Sequence, residues 1–168
     1  MAFIATSTTF RSFAEYQDVL DRDSRLLEAN EGLDEITIED MLIRASNRIL
    51  SRIKATDWWK NYQFSRNSSL KNDPRLVPEV NALNIIARKG DFTDLCVYHA
   101  FEEFILPKVA DFSNQDSAEF QKILFYKDKS TNLFNELIEA GDWYDFDGDG
   151  EIITTEKAPS RLNLVRVR

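Results

Sequence analysis

Between Ile38 and Ile53 the apolar residues Ile38, Met41, Leu42, Ala45, Ile49 and Ile53 recur at steps of three and four. An α-helix brings that spacing onto one face, so the run commits the chain to a helix that buries a stripe. Thr37 stands where it can cap the first free backbone N–H groups, and Glu39 and Asp40 fall in the first turn, where the helix dipole favours acids. Arg44, Arg48, Arg52 and Lys54 lie mostly off the stripe. The helix is expected to reach about Ala55, with Trp58 and Trp59 anchoring the segment after it.

A second helix is expected from Phe92 to Leu106, capped by Asp91 and stopped by Pro107, with Phe92, Leu95, Cys96, His99 and Phe104 roughly on one side. A third is expected from Asp116 to Ala140 on the stripe Phe120, Ile123, Leu124, Phe134, Leu137 and Ile138, with Gly141 as its stop. Its middle, "KDKST", is weak, and a break would fall there. "FRSFAEYQDVLDRDSRLLEANEGL" reads as one helix, or as two jointed near Asp21-Arg22-Asp23, ended by Gly32. In residues 60–90, "SRNSSLKNDP" is loop chemistry, and "VPEVNALNIIARKG" fits a short helix or an extended segment. Five glycines and four prolines in 168 residues disfavour a sandwich of many short strands. The expected fold class is mainly α: a compact helical bundle over residues 1–140, then an acidic turn and a C-terminal extended arm over 141–168.

A hydrophobic share of 43% against 30% charged residues belongs to a globular chain rather than a disordered one. The single Cys96 excludes an intramolecular disulfide and suggests a reducing compartment. "MAFIATSTTFRSF" has neither a charged start nor a long apolar run, so no signal peptide is expected; nor is a membrane span. The Asn67-Ser68-Ser69 sequon is then accidental. A net charge of −8 argues against general nucleic-acid binding. Residues 157–168 carry Lys157, Arg161, Arg166 and Arg168 and no acid, +4, which leaves −12 on the remainder.

The most specific motif is the run from Asp145 to Glu156. A calcium loop needs oxygen ligands at positions 1, 3, 5, 7, 9 and 12, a glycine at 6, and a bidentate acid at 12. Asp145, Asp147, Asp149, the carbonyl of Glu151 and Glu156 fit, with Gly150 at six and apolar Ile152 at eight. The surroundings fit less well. Gly141 ends the incoming helix early, Ala158-Pro159 blocks an ordinary outgoing one, and no second loop exists to pair with. A turn whose Asp side chains accept from their own backbone is the competing reading, and a structural Ca2+ is preferred over a sensing one. No cofactor is required.

Cys96-Val97-Tyr98-His99 has zinc-like spacing, yet zinc needs four ligands and the chain has no other Cys or His. A packed core cysteine and a satisfied histidine is the better reading. A Cys–His dyad on one helix lacks an orienting third group. Glu102-Glu103 reads as a surface acid pair, Trp58-Trp59 beside Lys60 as core and rim packing, and "ARKGD" is too short for a phosphate loop. An enzyme is not expected.

The closing "RLNLVRVR" puts Leu162 and Leu164 on one side of an extended chain and Val165 and Val167 on the other. It reads either as a disordered terminus or as a strand that completes a sheet on a partner. The candidate partner-binding residues are Arg161, Leu162, Asn163, Leu164, Val165, Arg166, Val167 and Arg168.

The stretches "ITIEDMLIRASNRILSRIKATDWW", "GDFTDLCVYHAFEEFILPKVADF", "FYKDKSTNLFNELIEAGDWYDFDGDGEI" and "SRLNLVRVR" together resemble the head–tail connector (adaptor, or head-completion) proteins of tailed bacteriophages. The resemblance covers most of the chain from Ile36 onward and rests on order and combination, since none of these is a catalytic signature. It implies a structural virion protein of the neck, assembled in the host cytoplasm as a ring, commonly twelvefold. Its partners would be the portal protein above, neighbouring copies of itself and a downstream neck or tail protein. DNA would pass through without sequence-specific binding. The calcium-like loop departs from the family pattern. The alternatives are a single-loop calcium-binding regulatory protein and a small hydrolase using Cys96.

Overall fold

A computed structural model describes residues 4–5, 9–28, 32–110 and 117–157. Two short strands, β1 (Ile4–Ala5) and β2 (Phe10–Ser12), pair antiparallel and lead into α1 (Tyr16–Glu28). Next come α2 (Glu35–Ala55), α3 (Asp57–Arg66) and three 3₁₀ turns at Ser68–Lys71, Pro74–Leu76 and Ala82–Asn84. α4 (Lys89–Ala100) runs through a π turn (Phe101–Ile105) into α5 (Leu106–Val109). α6 (Ala118–Ala140) and the single-turn α7 (Thr154–Lys157) complete the order. The molecule is mainly helical, a bundle, as the apolar periodicities require.

α4 forms the centre. Phe92, Leu95, Cys96, Val97 and Ala100 are buried on several sides of it, because α2 packs along one flank and α6 along another. The expected stripe of α2 is buried in full, with Ser46 added to it. That serine pins the N-terminal segment. Its Oγ lies 3.2 Å from Ser12 Oγ, accepts from the Phe13 N–H at 3.0 Å, and sits 3.3 Å from Cys96 Sγ.

The expected elements shift in places, each for a physical reason. The cap of α2 is Asp34, whose side chain accepts from the Thr37 N–H at 2.9 Å, so the helix starts before Thr37. Phe10–Ser12 is a strand rather than helix, and α1 bends where a joint was expected, with Asp23 at φ −152° and ψ 71°. Asp91 lies in the first turn of α4 rather than at its cap. Pro107 does not stop the helix. Ahead of it the widened π turn bonds the Leu106 N–H to the Phe101 carbonyl, so the ladder has already opened where the proline ring enters. α6 is unbroken through "KDKST", where Ser130 continues at four-residue steps the face that buries Tyr126 and Phe134; its cap is Ser117, and Asp116 lies outside the described residues. Residues 77–87 run as non-helical chain around one 3₁₀ turn, for a reason that lies in the segment they face, and Arg88 takes a left-handed φ of 52° before α4.

Candidate metal-binding loop and its mount

α6 ends at Gly141, which takes a left-handed φ of 60° that favours glycine. The chain then dives into the core. Trp143 is fully buried and its indole N–H donates to the Leu137 carbonyl at 2.6 Å. Its own carbonyl accepts from Ile86 N–H at 3.1 Å, and Tyr144 forms an antiparallel bridge with Ile85. Asp145 and Asn84 clasp each other twice. The Asp145 N–H donates to the Asn84 carbonyl at 2.9 Å, and Asn84 Nδ2 donates to the Asp145 carbonyl at 3.0 Å. The extended segment before α4 is therefore the partner of residues 143–145, a pairing with no local sequence signal. Arg88 closes the far side with a forked contact to Asp142 at 2.5 and 3.0 Å.

Phe146 completes the mount. Its ring stacks on Tyr62 at 3.6 Å between centroids and on Trp59 at 5.4 Å, with Trp58 at 5.1 Å. Trp58 also packs against Trp143 at 4.8 Å. The Trp58-Trp59 pair thus forms the bed on which the acidic loop rests. Burial here pushes the Tyr144 hydroxyl up to about 12, with the neighbouring Asp145 charge adding to it and the Asn81 N–H opposing. Burial likewise raises Tyr62, and the charges of Glu156, Asp147 and Asp145 add to that while Arg66 opposes it.

Within the loop the carboxylates fold inward onto backbone donors. Asp145, 3% exposed, accepts from Gly148 N–H at 2.6 Å on one oxygen and from Gly150 N–H at 2.8 Å on the other. Those glycines hold φ of 81° and 89°, which L side chains rarely adopt. Asp147 accepts from Asp149 N–H at 3.3 Å, and Asp149 from Glu151 N–H at 2.8 Å. Glu156, 2% exposed, accepts from Phe146 N–H and Ile153 N–H, both at 3.0 Å. The second of these bonds is half of a capping box over α7.

Carboxylate oxygens of Asp145, Asp147 and Asp149 all lie within 4.8 Å of one another. Three of the five expected ligands are thus gathered, and hard oxygen donors suit Ca2+ or Mg2+ rather than zinc. Glu156 stays outside that group; its two oxygens accept from the backbone N–H groups of Phe146 and Ile153. The loop holds itself closed through the side chains that a metal would use. Arg161, Leu162, Asn163, Leu164, Val165, Arg166, Val167 and Arg168 lie outside the described residues.

Cys96 and His99 share α4 but serve different surroundings. Cys96 Sγ meets Ser46 and the Leu42 carbonyl, and burial pushes its thiol up to about 12, far from a reactive thiolate. His99 is 2% exposed and lies 3.5 Å from Glu102 Oε2 through Nδ1 and 3.5 Å from Glu103 Oε2 through Nε2. Neither nitrogen makes a regular hydrogen bond, so the expectation of a satisfied core histidine is corrected. The acid pair is likewise more than surface charge, since Glu102 is half-buried against that ring; the i+3 and i+4 spacing from His99 was the available signal. His99 is close enough to hold Glu102 below the usual carboxylate range, against the opposing effect of burial. Among the described residues no helix is long and apolar enough to cross a membrane.

Compared with protein-family models, curated proteins and solved structures, the chain matches none.

Proposed function

We propose that this chain is a structural subunit of a tailed-bacteriophage neck: an adaptor that assembles as a ring beneath the portal, extends the DNA channel and docks through its C-terminal arm. The observation that carries this reading is the mount of the acidic loop. Residues 143–146 are held by the Ile85 bridge, the Asn84 clasp and the aromatic bed, and Glu156 ties the loop's two ends through one carboxylate. A chain that starts from a fixed point loses less entropy when its continuation docks, because only the arm must be ordered. The resemblance supports the same reading, since the stretches that carry it supply α2, α4 with the π turn, α6 and the loop. In this reading residues 161–168 add a strand to the portal protein, and twelve copies stand side by side with a neck or tail protein below. DNA passes without sequence-specific contact, because a protein of net charge −8 does not hold phosphate.

The test uses purified portal rings with the full chain and with a chain lacking residues 160–168. The full chain is expected to co-sediment as a ring, and the truncated chain to keep its melting temperature yet fail to attach. A truncated chain that attaches equally well refutes arm docking. A full chain that neither attaches nor forms rings refutes the adaptor.

One observation favours a second reading, the single-loop calcium-binding regulator: the convergence of Asp145, Asp147 and Asp149. Calorimetric titration separates the two. Calcium binding with a change of helix packing supports the regulator. Binding that only raises the melting temperature makes the ion a brace on the adaptor, and no heat of binding removes the metal from both.

A further inference from the structure

At the N-terminal end of α2 a pocket of about 340 Å³ opens between that helix and the π turn and α5. Met41, Phe104 and Pro107 give it an apolar floor, and Arg44 and Lys108 stand on its rim with Asp40 and Glu103. The rim charges are unequally engaged. Glu103 is turned toward His99 and Arg48, whereas Arg44 and Lys108 make no ion pair among the described residues. Lys108 exerts only a through-space pull on Asp34. Asp40 makes no ion pair among the described residues either, so the unpaired charges on the rim are two cations against one acid. The pocket offers an apolar floor with a net cationic edge among those residues, which suits an apolar knob with carboxylates beside it.

The molecule displays such a knob elsewhere. Ile153 is 46% exposed and follows Glu151 and Asp149, which have no ion-pair partner among the described residues. The other exposed apolar residues carry the wrong neighbours, Ile86 included, since Arg88 and Lys89 follow it. Leu124 and Phe125 sit among Lys122, Lys127 and Lys129, Leu76 follows Arg75, and Ile36 belongs to the pocket's own end of α2. Knob and pocket of one copy cannot meet. Glu156 holds Ile153 close to Phe146, and Phe146 rests on Trp58 and Trp59, just past the C-terminal end of α2. From Met41 to Ala55 that helix extends on the order of 20 Å at its usual rise.

We infer that the pocket at the start of α2 receives Ile153 and the acidic shoulder Asp149–Glu151 of a second copy of this chain. The contact rests on the ring reading above and supplies its missing joint: two different patches, toward opposite ends of α2, generate a head-to-tail series that closes into a ring when the rotation allows. Ile153 fills the apolar floor while Arg44 and Lys108 face Glu151 and Asp149, so electrostatics sets the register and apolar burial supplies the affinity.

Both patches are exposed, so their variants keep the fold, which the melting temperature verifies. The assay is native mass spectrometry of the full chain, alone and with portal rings. Ile153→Asp and Arg44→Glu are each expected to weaken self-association at least about tenfold. Glu151→Arg combined with Arg44→Glu is expected to restore it. In a further variant carrying Arg44→Cys and Glu151→Cys, oxidation is expected to give a covalent ladder of copies, with buried Cys96 silent. Rings that form normally in both single variants, without the ladder, overturn this contact and leave the adaptor standing. Absence of any self-association by the unaltered chain, with or without portal, overturns both.

Discussion

Asp145→Asn is the sharpest perturbation of the loop, because it preserves shape and changes only what the side chain can accept. Asp145 is 3% exposed, and each of its oxygens takes one backbone N–H, from Gly148 at 2.6 Å and from Gly150 at 2.8 Å. Asparagine has one acceptor, so its NH₂ must face one of those donors. That NH₂ is as buried as the side chain it belongs to, and a buried N–H left without a partner costs about 1–3 kcal/mol. The surviving bond also loses its charge assistance, roughly half its strength. The expected loss is about 2–4 kcal/mol. Rearrangement offers little relief, since Gly148 and Gly150 already hold φ of 81° and 89° to present those N–H groups. Urea unfolding in chelator, followed by tryptophan fluorescence, reads the effect directly, because Trp58, Trp59 and Trp143 lie under the loop. Asp149→Asn is the control: Asp149 is exposed and uses a single oxygen, so a change within about 0.5 kcal/mol is expected. Equal midpoints for the two variants would refute the view that a buried carboxylate fork holds the loop.

Other consequences stem from the same contacts. Ile49 is fully buried on the α2 stripe, so Ile49→Asp should destabilise by about 3–5 kcal/mol; an unchanged melting temperature would contradict the stripe. His99 lowers the pKa of Glu102, so this carboxylate stabilises the fold above the unfolded glutamate value, and that contribution is lost as pH falls through the lowered folded value. Glu102→Gln should therefore flatten the acid limb of a stability–pH curve, and a curve of unchanged slope would count against the pairing. Cys96, buried with its thiol raised to about 12, should resist thiol reagents in the native protein at neutral pH and react only on unfolding; rapid native labelling would contradict its burial.

The features legible in the sequence were periodic or locally patterned. The α2 stripe, the end of α6 at Gly141 and the ligand spacing from Asp145 to Glu156 all depend on neighbours within a turn or two. The features it hid depend on distant partners. Nothing within residues 77–88 signals that Asn84 and Ile85 will pair with Asp145 and Tyr144, some sixty positions away. Trp58-Trp59 read as packing, yet the partner that gives the pair its role is Phe146, the one non-acidic, non-glycine residue in the first six of the loop. Pro107 read as a stop because the π turn that admits it comes from packing against α2 and α6, which no local propensity encodes.

The loop's self-closure also sets what a bound cation would have to accomplish. Asp145, Asp147 and Asp149 already point oxygens at a common region, so gathering them costs little further order. Glu156 differs. To become the bidentate twelfth ligand it must release the N–H groups of Phe146 and Ile153, and the second of these bonds caps α7. A metal that recruits Glu156 therefore trades one tie between the loop's ends for another. A metal that leaves it in place binds through fewer protein oxygens and more water, and so more weakly. In both cases the carboxylate at position 156 fixes where the chain leaves the aromatic bed, because its partners are the backbone of residue 146 on one side and residue 153 on the other. In the adaptor proposed above, the acidic turn anchors the point where the chain leaves the aromatic bed, and the +4 charge of residues 157–168 is what would address another surface.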